Sequence, residues 1–191
     1  MVNHFRRLGY PERYSAKNPM NAEAVIQSFC DARPIRNKNI TDRIALKPDL
    51  FSGVVKCRGV RFASFAATFT FFDEPVTFEN CQFDHLDFYA TYFLKGLTIT
   101  DCIVNDRLTF QSGGHNYKEL SITITNTRFD SFVDFEDCWF TGPFTLQNVI
   151  FAQGTNLLGN QNNPMAVSFD FEPKITDVEG KLDVNTYKPP D

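Results

Sequence analysis

The stretch that decides the fold is residues 76–93, VTFENCQFDHLDFYATYF, in which a phenylalanine recurs every five residues: Phe78, Phe83, Phe88 and Phe93. Two residues before each phenylalanine lies a second apolar or small residue, in order Val76, Cys81, Leu86 and Thr91. Residues spaced by two point to the same side of an extended strand. Each pair therefore predicts a very short strand whose inward residues are known. A helix would show apolar residues at a period of 3.6, which this stretch lacks.

The same spacing can be followed through most of the chain. Apart from one interruption, the recurring position carries an apolar residue each time: Cys57, Phe62, Ala67, Phe72, Phe78, Phe83, Phe88, Phe93, Ile99, Val104 and Phe110, then Ile124, Phe129, Phe135, Phe140, Leu146 and Phe151. Steps of five leave two or three residues for a corner. Residue types that tolerate a left-handed backbone fall at several of these corners: Gly59, Asn80, Asp101, Asn126 and Asn148.

A longer period is superimposed on the five-residue steps. Cys57 and Phe78 are 21 residues apart, and so are Phe78 and Ile99, each interval containing three steps of five and one of six. Self-similarity at such a period is typical of a solenoid, and four short strands per period predict a four-sided coil. The predicted fold is all-β, a right-handed parallel β-helix (four-sided β-solenoid) of about 21 residues per coil, with coils ~4.8 Å apart.

Small residues two positions before a central phenylalanine, as in Cys81 with Phe83 and Cys138 with Phe140, give the chain a family resemblance. Over about residues 35–152 it resembles the pentapeptide-repeat family of quadrilateral β-helices. It is similar to the looser, phenylalanine-rich members, because the usual Ala-Asp/Asn-Leu core is scarce and the six-residue steps depart from the pattern. The resemblance implies the same four-sided fold. It implies no single function, since the family is functionally diverse.

The sequence divides into four predicted segments. These are an N-terminal arm (1–20), a capping helix (21–33), the β-solenoid with a loop insertion at 111–119 (34–152), and a C-terminal cap and tail (153–191). The insertion is predicted because the chain takes 14 residues from Phe110 to Ile124 where 11 would suffice. A solenoid needs covered ends, because its terminal strands expose unpaired backbone groups.

Both ends carry sequence that fits such covers. At the N-terminal end Asn21 can cap a helix, Glu23 lies in its first turn, and an apolar face is expected from Ala24, Ile26, Phe29 and Cys30. Four apolar residues then predict the first coil: Ile35, Ile40, Ile44 and Leu46. Beyond residue 152 the spacing is lost, and Val167, Phe169 and Phe171 alternate like one last strand. The final Lys188-Pro189-Pro190-Asp191 cannot join a ladder.

Composition narrows the class of protein. The chain has 191 residues, 21 of them phenylalanine, and a net charge of −4, so no basic surface for direct nucleic-acid binding is expected. No stretch approaches the ~18 apolar residues of a membrane span, and the N-terminus lacks the apolar core of a signal peptide. Cys57, Cys81, Cys102 and Cys138 take inward positions, which favours free thiols in a reducing compartment. A cytoplasmic protein is expected, with a virion component as the alternative.

No catalytic, cofactor-binding or metal site is predicted. His4, His85 and His115 have no second ligand at metal-binding spacing, and the common nucleotide-binding and nucleophile motifs are missing. Asp87 and Asp134 are expected on the third side of the coil, two coils apart and ~9–10 Å from each other. That separation is near the upper limit for an inverting glycosidase pair, but we expect two solvated carboxylates.

Outward positions carry the best indication of function. Phe71, Tyr92 and Trp139 are predicted to form an aromatic column on the fourth side, with the 111–119 loop, including His115 and Tyr117, between the last two. Two interpretations stay open. Stacked aromatics stabilise a ladder, and exposed Trp and Tyr are also typical of protein interfaces. These five residues are the candidate partner-binding set.

Three functional hypotheses follow from the sequence. The first is a non-enzymatic structural or protein–protein interaction module, part of a larger assembly such as a viral particle, or a homo-oligomer. The second comes from the resemblance, because some pentapeptide-repeat proteins bind DNA gyrase as DNA mimics. Residues 55–151 hold 12 acids against 7 Lys and Arg, below the charge density of B-DNA. The third, a carbohydrate-active β-helix enzyme, lacks an identifiable base.

Overall fold

The computed structural model describes residues 18–106 and 108–186 of the chain. Within these ranges one helix and nineteen short strands wind into a parallel four-sided β-solenoid, which confirms the predicted fold class. Residues 1–17 of the predicted N-terminal arm and residues 187–191 of the predicted tail lie outside the described residues.

The strands follow one another around the solenoid, turn by turn. The first two turns contain β1 (Ile35–Arg36), β2 (Asn39–Ala45), β3 (Asp49–Phe51), β4 (Val55–Arg58), β5 (Arg61–Ala66) and β6 (Thr70–Phe72). The next two contain β7 (Val76–Glu79), β8 (Gln82–Phe83), β9 (Leu86–Asp87), β10 (Tyr92–Phe93), β11 (Leu97–Thr100), β12 (Ile103–Val104) and β13 (Leu108–Thr109). The remainder are β14 (Ile122–Phe129), β15 (Val133–Asp134), β16 (Trp139–Phe140), β17 (Phe144–Phe151), β18 (Ser168–Phe169) and β19 (Lys174–Glu179).

Parallel pairing between turns defines the four sides. The first side is built on β1, β4, β7 and β11, followed by the leading halves of β14, β17 and β19. The second side contains the starts of β2 and β5, then β8, β12 and the trailing halves of β14, β17 and β19. The third side contains the ends of β2 and β5, then β9, β13 and β15. The fourth side is formed by β3, β6, β10, β16 and β18. The turns differ in length: steps of 22, 21, 21, 25, 22 and 29 residues separate the stacked residues Ile35, Cys57, Phe78, Ile99, Ile124, Leu146 and Ile175.

The core is a set of columns of inward side chains. All seventeen residues at the recurring five-residue position are buried, as are the residues two positions before them. Parallel phenylalanine rings stack between turns, with centroids 5.1 Å apart for Phe62–Phe83 and 4.8 Å apart for Phe110–Phe135. These distances match the ~4.8 Å spacing of strands. The ring stacks therefore follow from the strand register, which places inward residues of successive turns one above the other.

The corner between the first and second sides has the left-handed backbone that the sequence predicts. The φ angles are 64° at Gly59, 50° at Asn80, 55° at Asp101, 48° at Asn126 and 54° at Asn148. The corner side chains also form a ladder, since Asn126 Nδ2 donates to Asp101 Oδ1 (3.0 Å) and Asn148 Nδ2 donates to Asn126 Oδ1 (2.8 Å). Asn and Asp thus supply both the backbone conformation and a bond between turns.

Helix α1 (Ala22–Cys30) covers the N-terminal end of the solenoid. Asn21 Oδ1 accepts the Ala24 N–H at 2.9 Å, the predicted N-cap. The predicted apolar face is partly wrong: Val25 and Phe29 are buried, whereas Ala24 and Cys30 are exposed. Val25 and Phe29 are four residues apart and share one face of the helix, and the Phe29 ring lies 6.4 Å from that of Phe65 in the core.

The parallel ladder continues beyond residue 152, where the sequence predicts a cap and tail with one last strand. Thr155 bridges to Val133, β18 pairs with β16, and β19 pairs with β17. Phe169 packs against the core as the predicted last strand requires, but Phe171 is 45% exposed and lies outside β18, so that part of the prediction is wrong. The 29-residue turn explains why the five-residue spacing is lost here, because its additional residues are largely polar and follow no five-residue step.

Candidate functional site

A continuous column of outward apolar and aromatic side chains runs along the fourth side. Its members, which we call the aromatic column, are Leu50, Phe71, Tyr92, His115 and Trp139. Strand register aligns Leu50 with Phe71 and Phe71 with Tyr92. The backbone bridges Tyr92–Gly114 and Gly114–Trp139 extend the alignment through two more turns. At ~4.8 Å per turn, the column is about 19 Å long.

The rings of the column contact one another across turns. Ring centroids lie 4.7 Å apart for Phe71 and Tyr92, 3.9 Å for Tyr92 and His115, and 5.5 Å for His115 and Trp139. Three of the predicted residues therefore line up as expected, and His115 fills the gap between Tyr92 and Trp139.

His115 reaches this position because part of the predicted 111–119 loop joins the β-ladder of the fourth side. Gly114 N–H donates to Thr91 O (3.1 Å), and His115 N–H donates to Trp139 O (2.7 Å), so the segment joins the fourth side. Gly114 has φ +101°, and a Cβ there would lie 2.5 Å from Trp139 O, so the close approach requires glycine. His115 follows with φ +55°. The prediction of an outward loop across all of 111–119 is corrected accordingly.

The additional residues of this turn form the corner that follows the column. Asn116 is buried there, and its Nδ2 donates to Leu120 O at 2.6 Å. Tyr117 is 48% exposed at the same corner, and among the described residues its ring stacks on no member of the aromatic column. The structure therefore brings together four of the five predicted candidates and places Tyr117 beside them.

The column is apolar but is bordered by acids at its C-terminal end. Trp139 is 47% exposed, and its indole Nε1 donates to Asp170 Oδ1 at 2.8 Å. Burial lowers the pKa of His115 below its ordinary value, and the Asp137 carboxylate opposes this shift. The imidazole is therefore neutral at pH 7. The column presents uncharged rings flanked by the exposed carboxylates of Asp137 and Asp170.

Two neighbouring features were missed from the sequence. Leu50 is 56% exposed and begins the column one turn before Phe71. The signal was available, since Leu50 precedes Phe71 by the same 21 residues that separate Phe71 from Tyr92. Phe69, 50% exposed, contacts Tyr89 edge-on at 5.3 Å beside the column. Its left-handed φ of 56° places it at a corner that spacing alone does not reveal.

The carboxylates weighed as a catalytic pair serve as corner caps. Register aligns Asp87 with Thr109 and Thr109 with Asp134, as expected. Each accepts the N–H of the residue two positions later, at 2.9 Å for Asp87, 3.1 Å for Thr109 and 3.1 Å for Asp134. Asp134 is not solvated, contrary to expectation, because it is 3% exposed and accepts Asn156 Nδ2 at 2.8 Å. Within residues 18–106 and 108–186 no group of His, Cys, Asp and Glu has metal-binding geometry.

The acids of the solenoid are interspersed with bases. Lys95 Nζ lies 3.0 Å from Glu74, Arg58 lies 3.4 Å from Glu79, and Arg61 and Arg128 pair with Asp84 and Asp130. This pairing divides the negative charge among several sides. It contrasts with the coherent strips of charge that imitation of a DNA backbone would need.

Comparison with protein-family models, curated proteins and solved structures finds no significant match to this chain. In the part of the chain that the structure describes, no helix is long and apolar enough to cross a membrane.

Proposed function

We propose that this protein is a non-enzymatic interaction module that binds a protein partner along its fourth side. The observation that carries the proposal is the aromatic column, whose rings make an apolar strip bordered by the carboxylates of Asp137 and Asp170. Exposed aromatics with a polar border are typical of the centres of protein interfaces. The rigid solenoid fixes their spacing, which reduces the entropy lost on binding.

The chemistry of the column indicates the kind of partner segment. Stacked rings offer flat faces to apolar side chains and to guanidinium groups. Asp137 and Asp170 flank Trp139 and would pair with a basic residue of the partner. The proposed partner segment is therefore apolar with at least one arginine or lysine, within the same larger assembly.

The remaining chemistry favours this proposal over the alternatives. The interspersed ion pairs weaken a DNA-mimic role, and the corner-capping bonds of Asp87 and Asp134 occupy the carboxylates that an enzyme would use. All five cysteines are free, four of them buried, which supports a reducing compartment such as the cytoplasm or the particle assembled there.

The test compares three immobilised forms of the full chain in extracts of its native host. They are the native protein, the column variant Tyr92→Ala/Trp139→Ala, and the matched control Thr98→Ala/Thr123→Ala, which removes two outward side chains of the first side. We expect a partner retained by the native and control forms and bound at least about tenfold more weakly by the column variant. Far-ultraviolet circular dichroism verifies that all three are folded.

The protein has one tryptophan, Trp139, so its fluorescence reports directly on the column. Binding of the purified partner should shift the emission of Trp139 to shorter wavelength and protect it from acrylamide quenching. Equal retention by all three forms, or a partner that leaves Trp139 emission unchanged, would contradict the proposed site.

A further inference from the structure

In the part of the chain that the structure describes, no segment covers the C-terminal end of the solenoid, whereas α1 covers the N-terminal end. Within the described ranges, β19 pairs with β17 and with no other strand. Ile175 and Val178 of β19 are only partly buried, whereas the residues beneath them, Leu146 and Val149, are completely buried. The last turn thus exposes both an edge of backbone and the end of the apolar core.

Backbone groups of this edge point towards a further strand. The corner residues of three earlier turns donate their N–H to the next turn, Gly59 to Glu79 O (2.9 Å), Asn80 to Thr100 O (2.9 Å) and Asp101 to Thr125 O (3.1 Å). Asp177 occupies the same corner in β19, with a φ of 52°. Its N–H is therefore directed out of the open end, where an added strand would accept it.

The sequence of β19 is complementary to itself when read antiparallel. Residues 174–179 are KITDVE, so a two-fold axis between Thr176 and Asp177 sets Lys174 of one copy opposite Glu179 of the other. The same axis sets Ile175 opposite Val178. The residues paired across the axis point in the same direction. Ile175 and Val178 stack on the inward residues Leu146 and Val149, while Lys174 and Glu179 stack on outward residues.

We propose that two copies of the chain join tail to tail, with β19 of each pairing antiparallel with β19 of the other. The occupant of the open edge is thus a second copy, selected by two Lys174–Glu179 contacts and by the matched apolar pairs. The pairing satisfies both edges at once and closes the ends of both apolar cores.

The shape of the last turn fits this rotation. The two-fold axis passes through the corner between the first and second sides, so the first side of one copy lies on the second side of the other. The same rotation lays the third side on the fourth side. Residues 181–186 add a layer on the third side, where Thr155 N–H donates to Lys181 O (2.8 Å), and β18 ends one layer lower on the fourth. Each copy therefore ends higher on its third side than on its fourth side. The rotation lays the higher side of one copy on the lower side of the other, so the two ends fit together.

A charge exchange tests the proposal by sedimentation velocity and light scattering on the full chain. The native protein is expected to have twice the mass of one chain. Lys174→Glu and Glu179→Lys should each raise the dimer dissociation constant at least about tenfold, because each places like charges opposite each other at both contacts. An equimolar mixture of the two variants should recover the dimer, since its heterodimer restores opposite charges. Lys56→Glu, a charge reversal on the first side far from this end, is the control and should leave the dimer unchanged.

Each other outcome overturns the proposal. A native chain that stays monomeric up to about 100 μM, a concentration well above an ordinary specific dissociation constant, would show that β19 does not pair with β19 of a second copy. A dimer that persists in both single variants uses another surface. Loss of that dimer in Tyr92→Ala/Trp139→Ala would assign it to the aromatic column. The proposed partner site is on the outward face of the fourth side, and the proposed dimer contact is at the end of the solenoid. Failure of one proposal therefore leaves the other intact.

Discussion

At the scale of the residue, stability depends on inward phenylalanines that contact rings in their own turn and in the turns above and below. Phe88 is completely buried, and its ring lies 5.1 Å from Phe93, 5.4 Å from Phe110 and 6.2 Å from Phe65. Because these neighbours are held by their own strands, they cannot collapse into a space left at position 88.

Phe88→Ala should therefore lower the free energy of unfolding by about 3–5 kcal/mol. Chemical denaturation followed by circular dichroism measures the change. Phe69→Ala is the matched control, since Phe69 is 50% exposed, and its loss should cost below about 1 kcal/mol. Equal destabilisation by the two variants would show that Phe88 is not a core residue.

At the scale of the element, the corners decide where each short strand ends. Asn126 illustrates the two requirements, because its φ of 48° is unfavourable for most side chains and its amide links Asp101 to Asn148 in adjacent turns. The corner thus contributes through conformation and through hydrogen bonds, and two substitutions separate these contributions.

Asn126→Ala should destabilise the protein by about 1–2 kcal/mol, since alanine is strained in the left-handed region and makes no side-chain bond. Asn126→Gly loses the same bonds but adopts the backbone freely, so it should cost less. Thermal unfolding of both variants measures the difference. If glycine were no better than alanine, backbone strain would have no part in the corner.

At the scale of the whole molecule, winding the chain around a single axis places thiols that are far apart in sequence in one dry interior. Cys57, Cys81, Cys102 and Cys138 are each at most 1% exposed, and Cys30, on α1, is exposed. Burial raises the pKa of the Cys57, Cys102 and Cys138 thiols, which suppresses the reactive thiolate. Cys81 and Cys102 are stacked in adjacent turns and form no disulfide. Cys102 Sγ accepts the Cys81 N–H at 3.4 Å.

The native protein should react rapidly with one equivalent of a thiol reagent such as DTNB and with five equivalents in guanidinium chloride. Cys30→Ser should abolish the rapid phase and leave four slow thiols. The absorbance of the released thionitrobenzoate gives the count. Two or more rapid thiols in the native protein would mean that the solenoid opens readily or that the core assignment is wrong.

The sequence by itself determined the repeating part of this protein. Inward residues repeat every five positions because every turn faces the same core, and corner residues repeat because every corner needs the same backbone. Strand length, the four sides, the buried thiols and the Phe71–Tyr92 alignment all follow from this local period.

Only the tertiary structure decided what lies where the period changes. The turns of 25 and 29 residues bring His115 between Tyr92 and Trp139 and place β19 on β17 as the last strand of the described residues. Neither result is encoded in local spacing, because both depend on how the added residues fold against the neighbouring turns. The hydrogen bonds of Gly114 to Thr91 and of His115 to Trp139, between residues 23 and 24 positions apart, select that arrangement.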